Sequence, residues 1–192
     1  MQMKFHYMGK YSGNEEDLPR RDHEPGAVAF REVEDSKALS KIANAVSIVI
    51  LVIAFALLFL RTRTFEVSMP GFALYLLSLV PHEYLHALCY HGDVYMYQNL
   101  KHGMLFVVSP ERMSKGRFIF MSLLPTLVLA VIPYVIFMIH PQFKVLGTLG
   151  AAGLASGAGD YYNVYNALTQ MPKGAWTYLH GFHSYWYMPQ DR

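Results

Sequence analysis

FALYLLSLVPHEYLHAL, residues 72–88, is an apolar run that ends in a complete H-E-x-x-H motif, His82-Glu83-Tyr84-Leu85-His86. Helical spacing puts the two histidines at i and i+4 on one face. There two imidazole nitrogens can bind one tetrahedral Zn²⁺, with Glu83 directed at the attacking water. That is the geometry of a metalloprotease. Because the motif lies inside an apolar run, the expectation is a zinc site built within a membrane. Three ionisable groups in five residues at bilayer depth are hard to satisfy without a metal.

Composition agrees with that setting. Of 192 residues, 53% are hydrophobic and 16% charged, against about 25% charged in a soluble domain. The pattern predicts an all-α membrane protein with four transmembrane helices. Span 1 covers Ile42 to Leu60, flanked by Lys41, Arg61 and Arg63; span 2 runs from Ser68 to Tyr90 and holds the motif; span 3 runs from Phe118 to Ile139, with Pro125 and Pro133 inside it; span 4 runs from Val145 to Leu168. Each is close to the ~20 residues that cross a bilayer. Between spans 2 and 3, Asp93–Gln98 and Met104–Val108 are β-branched and aromatic runs that suit a small β-hairpin-like loop around Asn99-Leu100-Lys101-His102-Gly103.

The domain reading is a polar tail over 1–41, a membrane domain with the zinc site over 42–170, and an aromatic interfacial tail over 171–192 that gathers Trp176, Tyr178, Phe182, Tyr185, Trp186 and Tyr187. No apolar stretch suited to a cleavable signal precedes Ile42. Lys and Arg are more numerous on the N-terminal flank (Arg31, Lys37, Lys41), in the loop between spans 2 and 3 (Lys101, Arg112, Lys115, Arg117) and at Lys173 than at Arg61, Arg63 and Lys144. This places a multi-pass protein in the cell membrane with both termini in the cytosol. A net charge of +2 with basic residues scattered among acidic ones argues against nucleic acid as a partner. The single cysteine, Cys89, rules out an internal disulfide and reads as a buried structural thiol.

Catalytic zinc takes three protein ligands and an open position, so two histidines are one short. Asp160 is the only acid besides Glu83 within the four spans. It continues a face of Gly147, Gly150, Gly153 and Gly157, small residues that let another helix approach, and that face is expected to pack against His82 and His86. At 1.5 Å per residue, His82 and His86 lie about 21 and 27 Å along span 2, and Asp160 about 24 Å along span 4, which brings them to one level. Asn163, one turn on, is a candidate for holding the substrate backbone or an oxyanion, set against a plain helix-helix hydrogen bond. His91, His102, His140, His180 and His183 lie near span ends or in the tails, where a solvated histidine is the default.

At this point the chain resembles a known group. An H-E-x-x-H in an early membrane helix, then a hairpin-like loop, another span and an aspartate in the next, is similar to the catalytic core of site-2-protease intramembrane metalloproteases. The likeness is greater to the zincin peptidase family of small bacterial membrane proteins, which carry a Gly-Asp pair similar to Gly159-Asp160 and a stretch similar to Ser114-Lys115-Gly116-Arg117-Phe118. The resemblance covers roughly residues 42 to 170. It implies that His82, His86 and Asp160 bind zinc and that Glu83 is the general acid/base. Site-2 proteases differ in placing a small residue where this chain has Leu85, and an Asp-Gly pair where Gly159 precedes the acid.

The reading is therefore an intramembrane zinc metalloprotease acting on a peptide or membrane-protein substrate embedded in, or next to, the lipid bilayer. Its rival is a non-proteolytic membrane scaffold, sensor or metal-handling protein that keeps the metal site. Spans 1 and 3 hold no charged residue in their interiors, which argues against a conducting path, and the presence of Glu83 argues against a dead scaffold.

Overall fold

The computed structural model of the chain describes residues 3–33, 36–65, 67–99 and 104–190. The hairpin turn with Lys101 and His102 lies outside the described residues, as does the side chain of Lys37. The chain divides into two compact units, one made of residues 1–32, 83–122 and 163–192, the other of 33–82 and 123–162.

The second unit is helical. It contains α1 (Ser36–Thr62), most of α2 (Met69–Ala87), the end of α3 (Lys115–Thr126), a π-helical segment over Leu127–Val131, α4 (Ile132–Ile139), α5 (Lys144–Ser156) and the first turn of α6 (Ala158–Gln170). Its core joins Ala54 and Leu58 of α1, Tyr134 and Phe137 of α4 and Ala151 of α5. The Tyr134 hydroxyl donates to the Ala54 carbonyl at 2.7 Å, so the hydroxyl that this ring brings into the core is satisfied. Alpha5 packs here through its glycines. A Cβ on Gly150 would sit 2.6 Å from Tyr134 Cβ and 2.8 Å from the Ala130 carbonyl oxygen, and one on Gly153 would sit 2.8 Å from Ala130 Cβ. Only hydrogen fits at that approach.

The first unit carries two sheets. In one, β1 (Lys4–Lys10) runs parallel to β3 (Asp93–Asn99), which pairs antiparallel with β4 (Met104–Val108), giving the order β1-β3-β4. The register of β1 slips between Tyr7 and Gly9, and Gly9 has φ +73°, a left-handed conformation that glycine adopts without strain. In the other, β2 (Val28–Ala29), β7 (His183–Tyr187), β6 (Trp176–His180) and β5 (Met113–Ser114) lie in that order, all antiparallel. Tyr11 sets its ring edge-on to Tyr97, Phe106 and Phe182, so segments from the start, middle and end of the chain share one aromatic core.

This corrects the expectation of an all-α protein with four spans. Among the described residues, two helices are long and apolar enough to cross a membrane, Ala38–Thr62 and Lys115–Ile139. They point to membrane association. The segment expected as span 2 puts Pro81, His82, Glu83 and His86 in its last two turns, which lowers its apolarity. The segment expected as span 4 breaks at Gly157, and α6 beyond it is studded with Asp160, Asn163, Asn166 and Gln170. The depth count along an unbroken span 4 therefore does not hold. The glycine face is also elsewhere than expected: Gly147 meets Phe137, Gly150 meets Tyr134 and Gly153 meets Ala130, so it packs on α4 and the π-helical segment rather than on the histidine face of α2. Strands form in both segments expected as tails: β1 adds to the hairpin edge through β3, β2 pairs with β7, and Tyr11, Leu18, Leu179 and Phe182 from these segments pack with Tyr97 and Val108 of the hairpin.

Two outcomes follow from this packing. Gly150→Ala should lower stability by about 1–3 kcal/mol, the usual cost of forcing volume into a packed contact, read as the thermal midpoint in detergent. Burial raises the Glu32 carboxyl above the ordinary carboxylate range, against the opposing pull of Ser184 and His183. A raised folded-state pKa means that its contribution to stability is fully present below the unfolded value and is lost as pH rises through the folded one. Glu32→Gln should flatten that decline on the alkaline side of about pH 4.5, seen in denaturant titrations at a series of pH values.

Candidate metal centre

Alpha2 delivers the motif. His82, Glu83 and His86 offer ligand atoms that all lie within 4.8 Å of one another, and among the described residues this is the one group of His, Cys, Asp and Glu side chains compact enough for a metal ion. Helical spacing explains it: positions 82 and 86 stack one turn apart, and 83 flanks them. His82 and Glu83 are half-buried and His86 is 6% exposed.

Each histidine is oriented by a partner. His86 Nδ1 lies 2.9 Å from the carbonyl oxygen of Met121 in α3. A carbonyl can only accept, so Nδ1 carries the hydrogen and Nε2 keeps its lone pair for a metal. This is the usual outer partner of a ligating histidine. His82 Nε2 lies 3.2 Å from Asp160 Oδ2, with both side chains largely shielded. Two ligands at 2.0–2.1 Å from a tetrahedral zinc would be about 3.3 Å apart, so this pair already has the separation that a shared ion requires. Nitrogen and oxygen donors with an open position are what catalytic zinc takes, and the residues present fit it.

Asp160 sits in the first turn of α6, just past the break at Gly157. A Cβ at Gly157 would press on Thr126 Oγ1 at 2.8 Å and on the Tyr161 ring, so the break stands tightly against α3. Tyr161 donates to the Leu154 carbonyl at 2.9 Å, occupying a carbonyl that the break leaves open. Asn163 is one turn further along α6 and half-buried. Cys89 is buried, and burial raises its thiol pKa. His91 and His183 are exposed, while His180 is half-buried in β6.

Residues that motif reading passes over hold the end of α2. Arg117 donates to the Cys89 carbonyl through Nε at 2.8 Å and through a second, shorter bond from its terminal nitrogen, which also meets Glu111 Oε1 at 2.8 Å. Glu111 Oε2 accepts from the amides of His91 at 2.7 Å and Gly92 at 2.8 Å. Lys115 donates to the Met171 carbonyl at 2.6 Å. The Ser114–Phe118 stretch thus works as an anchor for the turn that follows the motif. Tyr90 in that turn is fully enclosed, and its hydroxyl is held protonated by burial first and by the charges of Glu111 and Glu83 after it. One signal was available in sequence: Glu111 and Arg117 are opposite charges six residues apart just before an apolar helix, where each is costly without a partner.

On geometry, His82, Glu83 and His86 form a group that could hold a metal ion in the manner of an H-E-x-x-H site. The chain belongs to the family described as "Putative zincin peptidase", whose family model matches residues 75–176. The matched stretch runs from the middle of α2 to the start of β6 and includes His82, Glu83, His86 and Asp160. No curated protein and no solved structure matches the chain. The family description points to a zinc metallopeptidase.

Purified protein should carry about one zinc per chain by elemental analysis, and His86→Ala should lose most of it. Full metal content in that variant would place the ion elsewhere.

Proposed function

We propose that this protein is a zinc metallopeptidase of the membrane, hydrolysing peptide bonds of substrates embedded in or adjacent to the bilayer. The observation that supports this most is the meeting of His82 Nε2 with Asp160 Oδ2 at 3.2 Å, one residue from Glu83. In this reading His82, His86 and Asp160 hold the zinc. When bound, the ion supplies Lewis acidity that polarises a scissile carbonyl and favours deprotonation of water near neutral pH. Glu83, beside the ligands and not one of them, takes the proton of the attacking water and passes it to the leaving amine nitrogen as the C–N bond breaks. Asn163 donates its side-chain amide to the substrate backbone or to the developing oxyanion.

A helical substrate shields its own amides and must unwind before it is cut. Among the described residues β4 lies at the edge of its sheet, beside β3, and an unwound stretch can add to it as a further strand. Having both termini on one side of the membrane is supported by the sheets: β1 pairs with β3 and β2 with β7, so segments from both chain ends and from the loop after α2 fold together in one unit. The excess of Lys and Arg on these segments favours the cytosolic side.

Glu83→Gln tests the chemistry. Zinc should stay, because the residue is not a ligand in this reading, while cleavage of membrane-inserted reporter peptides falls at least about 100-fold. Cleavage at the normal rate by this variant would refute the assignment of Glu83.

A further inference from the structure

In a regular α-helix the amide of residue i+4 donates to the carbonyl of residue i. Position 125 of α3 is proline, which has no N–H, so the carbonyl of Met121 loses its regular intrahelical donor. That carbonyl is the one His86 Nδ1 approaches at 2.9 Å. Met121 and His86 are both 6% exposed, so water is a poor substitute on either side. A buried carbonyl without a donor and a buried imidazole that needs one tautomer satisfy each other.

We propose that Pro125 is a positioning residue for the metal centre. By withholding an amide, it reserves the Met121 carbonyl for His86, fixes the hydrogen on Nδ1 and leaves Nε2 as the metal donor. This rests on the metallopeptidase reading given above and adds to it a residue that touches neither metal nor substrate. A second, independent feature holds the carbonyl in place. Arg117, one turn before Met121 on the same helix, is bound to the Cys89 carbonyl and to Glu111, which ties the start of α3 to the end of α2. The acceptor therefore stands at a fixed height beside the motif.

Proline inside a helix is ordinarily a defect, and this gives the test its sign. Pro125→Ala restores an amide that competes for the Met121 carbonyl, while improving the helix itself. Zinc affinity of the purified full-length chain, measured by chelator competition, should fall about tenfold or more, the scale found when an outer partner of a ligating histidine is lost. The thermal midpoint of the metal-free protein should stay level or rise. The Co²⁺-loaded variant should show an altered visible absorption spectrum. A second variant separates the missing N–H from the shape of the ring: with the α-hydroxy analogue of alanine at position 125, an ester replaces the amide and no donor is restored. It should bind zinc as the unaltered chain does. The proposal is overturned if Pro125→Ala binds zinc with unaltered affinity, or if the ester variant binds as weakly as Pro125→Ala. If the unaltered chain binds zinc no better than His86→Ala, the metal site itself fails, and Pro125 has nothing to position.

Discussion

An imidazole at 6% exposure cannot be left without a hydrogen-bond partner, and the structure around the end of α2 is organised by that requirement. His86 looks to a main-chain carbonyl and His82 to a carboxylate. Supplying these two partners calls for two irregular helices. Alpha3 must present a carbonyl free of its own ladder, and the helical stretch after α5 must bring an acid to His82. The irregularities are located accordingly, at Pro125 in the first case and at Gly157 in the second.

The same irregularities shape the packing. Between Pro125 and Pro133 the helix widens into a π-helical segment, with the amide of Ile132 reaching back to the Leu127 carbonyl. Wide turns of this kind occur where a ladder has been interrupted. Ala130 falls inside the widened segment, and Gly150 and Gly153 of α5 lie against it at distances that exclude a Cβ. Glycine on one side and alanine on the other let the two backbones come together, much as small residues do between membrane helices.

Much of this was legible in the sequence, for identifiable reasons. The motif was visible because i and i+4 spacing is a local property of one helix. The strand pair after it was visible because β-branched and aromatic residues cluster on both sides of a turn. Asp160 stood out as an acid among apolar residues, and the structure sets it beside His82. The number of spans was not legible. Apolar content alone makes residues 68–90 and 145–168 look like crossing helices, but the polar end of α2 and the break at Gly157 depend on what those groups meet in the folded state. The sheets were missed for a related reason. Beta1 and β2 find partners 89 and 158 positions away, as in His6 with Tyr95 and Val28 with Trp186, and no local pattern reports such pairing.

Proline shows why the remainder needs structure. Pro81, Pro125 and Pro133 are equivalent in a sequence scan, each a break in a ladder. What distinguishes Pro125 is the use made of the carbonyl it releases, four residues back and facing a histidine from another helix. The energetic balance favours such an arrangement only at a buried site: in water, the freed carbonyl and the imidazole would each be hydrated, and the pair would contribute little. Enclosure changes that, because each group then depends on the other. A helix defect and a ligand orientation are, at this position, one interaction seen from two sides.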